Sequence, residues 1–198
     1  KLCKTIKEDI NISHIPVILL TARDDRQSQI SGYKNGADGY LSKPFEVEML
    51  MELIRNRLKN REYTKKRYLN AGLIPTPEES TISLTDETFL IKLNSIIQEN
   101  IENSNLGIQF ICQEVGLGRS SLYNKLKALT GMGANEYISK LRIEKAITLI
   151  SGTDMPFSEI AEKTGFTTPS YFSTAFKQYT GETPSQYKER KKKGLAGK

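Results

Sequence analysis

Residues 107–131 and 156–181 carry one design twice, and this internal repeat constrains the fold more than any other feature of the chain. The first copy reads Ile111-Cys112-Gln113-Glu114-Val115-Gly116, then Ser120-Ser121-Leu122, Leu126-Lys127 and Thr130-Gly131. The second reads Ile160-Ala161-Glu162-Lys163-Thr164-Gly165, then Ser170-Tyr171-Phe172, Phe176-Lys177 and Thr180-Gly181. Gly116 and Gly165 stand where a short helix must stop and the chain turn sharply, which a positive φ allows. Cys112 and Ala161 are small enough for two helices to approach closely. Leu122 and Leu126, like Phe172 and Phe176, are four residues apart and so share one inward face. The opposite face of each second helix is small, polar or basic: Arg119, Ser120, Tyr123, Asn124 and Lys127 in one, Thr168, Ser170, Ser173, Thr174 and Lys177 in the other. A helix with that outer face can enter a major groove and hydrogen-bond base edges and phosphates. An ordinary helical bundle with a polar outside accounts for one such unit; two in tandem favour double-stranded DNA.

Residues 133–151 join the copies, with Tyr137, Ile138, Leu141, Ala146, Ile147 and Ile150 in a continuous helical pattern. A helix of that length spans ~28 Å. It could hold two recognition helices about one DNA turn apart, ~34 Å, for two successive major grooves. Upstream, Phe89, Leu90, Leu93, Ile96, Ile97 and Ile101 define another amphipathic face, with Thr85 or Asp86 able to cap its start. Residues 61–85 read as a linker, because Pro75, Pro77, scattered Ser and Thr and the basic Lys65-Lys66-Arg67 break the pattern.

Residues 1–60 differ from the rest. Residues 15–21 form a short, β-branched, almost wholly apolar run, as a buried parallel strand should. A polar helical stretch over 25–35 follows, ended by Gly36, then a second strand over 39–42. The helical stretch from Phe45 to Arg57 places Val47, Leu50, Met51, Ile54 and Leu58 at helical spacing. This is a β-α-β-α succession.

Composition narrows the functional classes. Of 198 residues, 37% are hydrophobic and 26% charged, which suits one or two globular domains. No apolar run is long enough to cross a membrane, and the first residues lack the apolar segment of a secretory leader. Cys3 and Cys112 lack metal-ligand spacing and read as free thiols in a reducing cytoplasm. His14 is the only histidine, so histidine-based catalysis and His-rich metal sites have almost no material; no enzyme, metal or cofactor is expected. The net charge of +6 permits a polyanionic partner, though much of the excess lies between Lys188 and Lys193, where a solvated tail is expected.

The helical part resembles the AraC-family DNA-binding domain. The matching residues are Gly116, Arg119, Leu122, Leu126-Lys127 and Thr130-Gly131 in the first copy, then Arg142 and Ala146 between the copies. In the second they are Ile160-Ala161, Gly165-Phe166, Ser170-Tyr171-Phe172, Phe176-Lys177, Gly181, Pro184 and Tyr187. The resemblance implies a seven-helix, tandem helix-turn-helix fold. It also implies that bases are met at Ser120, Tyr123 and Asn124 in the first unit and at Ser170, Ser173 and Thr174 in the second. Gly118 departs from the family, where a serine is usual, and so removes a side-chain cap.

The front segment is similar to the second half of a response-regulator receiver domain, through 16–22, Gly36-Ala37-Asp38-Gly39-Tyr40 and Lys43-Pro44-Phe45. By that resemblance Thr21 and Lys43 hold a phosphoryl group and Tyr40 swings inward as the signal passes. No phosphoacceptor aspartate is expected in this chain, since Asp24, Asp25 and Asp38 do not occupy its place. The chain thus reads as a piece of a longer protein, similar to the end of hybrid two-component proteins. The expected fold class is mainly α: a truncated α/β receiver fragment (1–60), a linker (61–85) and a tandem helix-turn-helix domain (86–198). The expected function is sequence-specific, double-stranded DNA binding in transcription regulation, with a homodimer through the receiver fragment, contact with RNA polymerase and no membrane contact. The alternative is a helical protein-interaction module without direct DNA readout.

Overall fold

The computed structural model of the chain describes residues 1–71 and 83–196, and for 63–71 and 194–196 the backbone alone. Pro75 and Pro77, the prolines of the expected linker, lie outside the described residues. In chain order the elements are α1 (Leu2–Glu8), β1 (Ile18–Thr21), α2 (Arg26–Lys34), β2 (Gly39–Ser42) and α3 (Val47–Ala71). They continue with α4 (Leu84–Glu99), α5 (Ile108–Val115), α6 (Arg119–Thr130), α7 (Ala134–Gly152), α8 (Phe157–Lys163), α9 (Pro169–Thr180) and α10 (Pro184–Ala196). The fold is therefore mainly helical, with seven helices from α4 onward among the described residues. The chain divides into two compact units, residues 1–92 with 117–132, and residues 93–116 with 133–198.

In the first unit β1 and β2 pair in parallel, Ile18 opposite Gly39 and Thr21 opposite Ser42. The expected strand over 15–21 is real but shorter, and it is not buried: Leu20 is 43% exposed and Ile15 46%. Apolar composition made it a good strand; burial depends on what covers the sheet, and here two strands stand alone among the described residues. Asp25 caps α2, its carboxylate accepting from the Ser28 N–H at 2.7 Å, and Gly36 follows at φ 84°. Asp38 accepts from the Val17 N–H at 2.6 Å and pairs with Lys7 at 2.7 Å, tying α1 to the sheet. α3 runs on to Ala71, through the first part of the segment read as linker, and it packs against α6.

The start of α4 corrects one expectation. Its cap is Ser83, whose Oγ accepts from the Asp86 N–H at 3.2 Å. Thr85 and Asp86 turn instead to the front segment: Thr85 Oγ1 donates to the Lys7 carbonyl at 3.0 Å, and Asp86 accepts from Ser13 Oγ at 2.7 Å.

In the second unit α7 packs on α8, α9 and α10 around Ile143, Ala146, Ile150, Ile160, Ala161, Phe166, Phe172, Phe176 and Tyr187. The aromatic rings form a chain at centroid distances of 5.4 Å (Phe166–Phe172), 5.7 Å (Phe172–Phe176) and 5.6 Å (Phe176–Tyr187), the last two edge-to-face. Each buried Phe contributes roughly 1.5–3 kcal/mol, with about 0.5–1.5 kcal/mol more for a well-placed ring pair. The inward pair predicted from spacing, Phe172 and Phe176, is 0% exposed.

Candidate nucleic-acid interface

Both copies of the repeat turn at a glycine in the left-handed region. Gly116 closes α5 at φ 72°, and Gly165 follows α8 at φ 72°. The two differ in their surroundings. A Cβ on Gly116 would meet nothing within 4 Å, whereas one on Gly165 would fall 2.2 Å from the Ile101 carbonyl oxygen and 2.8 Å from Arg142 Nη2.

α6 buries Leu122, Lys125, Leu126, Leu129 and Thr130. Arg119, Ser120, Tyr123, Asn124 and Lys127 are all exposed, so the helical period sorts the side chains as the sequence predicts, with Lys125 as the exception. No side chain caps its N-terminus at Gly118. α9 starts instead at Thr168, whose Oγ1 accepts from the Tyr171 N–H at 3.1 Å. Thr168, Ser170, Thr174 and Lys177 are exposed and Ser173 is half-buried. Thr168 is thus engaged as a cap. Thr174 Oγ1 donates to the Ser170 carbonyl at 3.1 Å, which leaves its lone pairs to accept from outside. Ser173, Thr174 and Lys177 share a shallow depression with Gln178 and Thr183. Sequence reasoning stopped at Lys177 and missed Gln178, which extends the same polar surface by one residue.

Arg142 braces the second unit from behind. Its Nη2 donates to the Asn103 carbonyl at 2.6 Å, and its guanidinium lies 6.0 Å from the Phe166 ring centroid. Burial holds this guanidinium below its usual pKa. Tyr179 on α9 donates to Glu144 on α7 at 3.2 Å; burial first, and then the carboxylate, push this phenol well above its ordinary pKa. The basic segment after Pro184 is helical, with surface ion pairs: Lys188 and Lys192 reach Asp154 at 3.3 and 3.9 Å, and Arg190 pairs with Glu182 at 2.7 Å. Arg190, Lys191, Lys192 and Lys193 are all exposed.

In the front segment the backbone brings Thr21 and Lys43 to the same end of the two-stranded sheet, where the Lys43 N–H donates to the Thr21 carbonyl at 2.7 Å. Thr21 Oγ1 accepts from the Arg23 N–H at 3.1 Å, and Tyr40 donates to the Arg23 carbonyl at 2.7 Å. Tyr40 lies against Gly32, where a Cβ would come within 3.0 Å of its ring. The described residues contain no group of three or more His, Cys, Asp or Glu side chains that could hold a metal ion, and Cys3 and Cys112 are free.

Residues 111–190 match the family of helix-turn-helix domains, and residues 1–55 match the response-regulator receiver domain. The chain is a receiver segment joined to an AraC-type helix-turn-helix domain. It is 42% identical over 190 residues, 96% of its length, to histidine kinase P4 of Formosa agariphila, of which it covers 14%. It is 34% identical over 102 residues, 52% of its length, to the HTH-type transcriptional activator RhaR of Salmonella dublin, of which it covers 36%. Among solved structures, a transcriptional regulator with an AraC-type DNA-binding domain from Chromobacterium violaceum superposes with a TM-score of 0.50 at 25% identity, over 53% of this chain and 93% of that one. The chain thus spans about a seventh of the first relative and about a third of the second. No described helix is long and apolar enough to cross a membrane.

Proposed function

We propose that this chain reads double-stranded DNA sequence-specifically, with α6 and α9 each entering a major groove, as the output end of a two-component phosphorelay. One observation carries the reading: at equivalent repeat positions both helices expose small polar side chains, Ser120 and Asn124 on α6 and Ser170 and Thr174 on α9, each set followed by an exposed lysine, Lys127 or Lys177. Such groups pair with base edges while the lysines neutralise phosphates. α7, nineteen residues long, supports successive grooves, since it spans ~28 Å against a DNA turn of ~34 Å. The phosphorelay role is supported by the receiver match and by the kinase among the relatives. The reading places the chain with DNA in the cytoplasm and brings RNA polymerase within reach as a partner.

Front-segment self-association is the second part of the proposal. Val47, Met49 and Met51 on α3 and Leu20 on β1 are exposed apolar side chains, and a dimer would offer two DNA-reading units to repeated half-sites. Sedimentation of the chain at tens of micromolar tests it, and a monomer there refutes it. The DNA reading is tested by selecting bound fragments from random duplexes and following affinity against salt. A steep negative slope with a recovered consensus is expected. Salt-insensitive binding without a consensus would instead mark a helical protein-interaction module.

A further inference from the structure

Lys125 stands on the DNA-reading helix α6 and faces the other way. It is 0% exposed, while Tyr123, Asn124 and Lys127 around it are exposed. Its ammonium forms an ion pair with Asp86, donates to Ser13 Oγ at 2.7 Å and lies 5.1 Å from the Phe89 ring centroid. Ser13 Oγ donates in turn to Asp86 at 2.7 Å, so three groups from three segments close one ring. Ser13 and Asp86 are as buried as Lys125, at 0% and 3% exposed.

A buried charge is strongly unfavourable unless it is paired and hydrogen-bonded. Each member of this ring therefore fixes the place of the other two. Apolar packing would tolerate some rotation of α6 about its axis, because contact between methylenes is not directional. Hydrogen bonds are directional, so the ring holds one rotation. That rotation decides where the next residue, Asn124, points. A second tie acts on the same helix, since Arg61 Nε on α3 donates to the Ala128 carbonyl at 3.4 Å.

We infer that Lys125 is a positioning residue through which the front segment, at Ser13, sets the rotation of the first recognition helix. The front segment is then part of the first DNA-reading unit, and a displacement at Ser13 reaches the bases through a single side chain. The inference rests on the DNA-binding reading above.

Ser13→Ala in the whole chain is the deciding variant, because it removes one hydroxyl and leaves the Lys125–Asp86 pair in place. It should weaken binding at the selected site about tenfold. Base preference should relax only at the positions that Asn124→Ala also changes, with the salt slope and the bases assigned to α9 unaltered. Lys125→Met should do the same, and the double variant should add nothing further, as expected of residues acting as one unit. Should Lys125→Met not fold, Ser13→Ala carries the test alone. A Ser13→Ala chain that is less stable yet keeps the wild-type preference at the α6 positions overturns the inference and leaves the DNA reading intact. A wild-type chain without sequence preference overturns the DNA reading and the inference with it.

Discussion

Replacing Gly165 with alanine should cost far more stability than the same change at Gly116, although the two occupy equivalent places in the repeat. Both have φ 72°, so both substitutions pay for an L side chain in the left-handed region, about 1–2 kcal/mol. Gly116→Ala pays little more, since its Cβ enters open space. Gly165→Ala drives a methyl to 2.2 Å from the Ile101 carbonyl oxygen, against 3.4–4 Å for ordinary contact. The neighbour is backbone and cannot rotate aside, so overpacking adds about 1–3 kcal/mol. The expected totals are about 1–2 kcal/mol at Gly116 and about 2–5 kcal/mol at Gly165. Urea unfolding followed by far-ultraviolet circular dichroism measures both, and both residues lie in the second compact unit, so the comparison reads one structure. Adding Arg142→Ala should not rescue Gly165→Ala, because the nearest obstacle is a carbonyl and not the guanidinium. Equal costs at the two glycines, or full rescue by Arg142→Ala, would refute the reasoning.

Three further predictions concern the interface and the front segment. Asn124→Ala should weaken binding at a preferred site by ~1–3 kcal/mol and relax preference at one base pair, as measured by competition among single-substitution duplexes; an equal loss on random DNA would reduce Asn124 to a backbone contact. Lys127→Ala and Lys177→Ala should each weaken binding to all sequences and lower the salt slope by about one, so an unchanged slope in both would show solvated lysines. Burial, and after it the positive Lys125 and Arg61, lower the pKa of His14 below its ordinary 6.5. The unfolded chain then binds the proton more readily, so stability should fall as pH drops below 6.5. Unfolding measured between pH 7 and pH 5 should show this loss in the wild type and a flatter profile in His14→Gln; parallel profiles would exclude His14 as the source.

Much of the helical part was legible because its determinants are local. Turn glycines, inward residues four apart and a polar outer face are set within a few residues, and the structure places α6 and α9 accordingly. The succession of β1, α2 and β2 was legible for the same reason, from two short strand-like runs separated by a polar helical stretch that stops before Gly36. Where expectations failed, a partner distant in sequence or an unweighed signal was involved. α3 was cut short at residue 57, yet nothing from Leu58 to Ala71 stops a helix; the first glycine is Gly72. Thr85 and Asp86 are good capping residues by type, but Ser83 caps α4 and leaves them to bind α1 and Ser13.

Lys125 shows most clearly where the sequence runs out. Its spacing from Leu122 and Leu129, three and four residues, puts it on the inward stripe, while its charge argues for the outside. The sequence by itself determined the repeat, the helix boundaries at its glycines and the polar faces of α6 and α9. Only the tertiary structure decided that an ammonium belongs inside, because the groups that make its burial tolerable, Asp86 and Ser13, are 39 and 112 residues away. Local propensity sees a few neighbours along the chain, whereas the electrostatic fate of a buried charge is settled by whatever the fold brings to within a few ångströms of it.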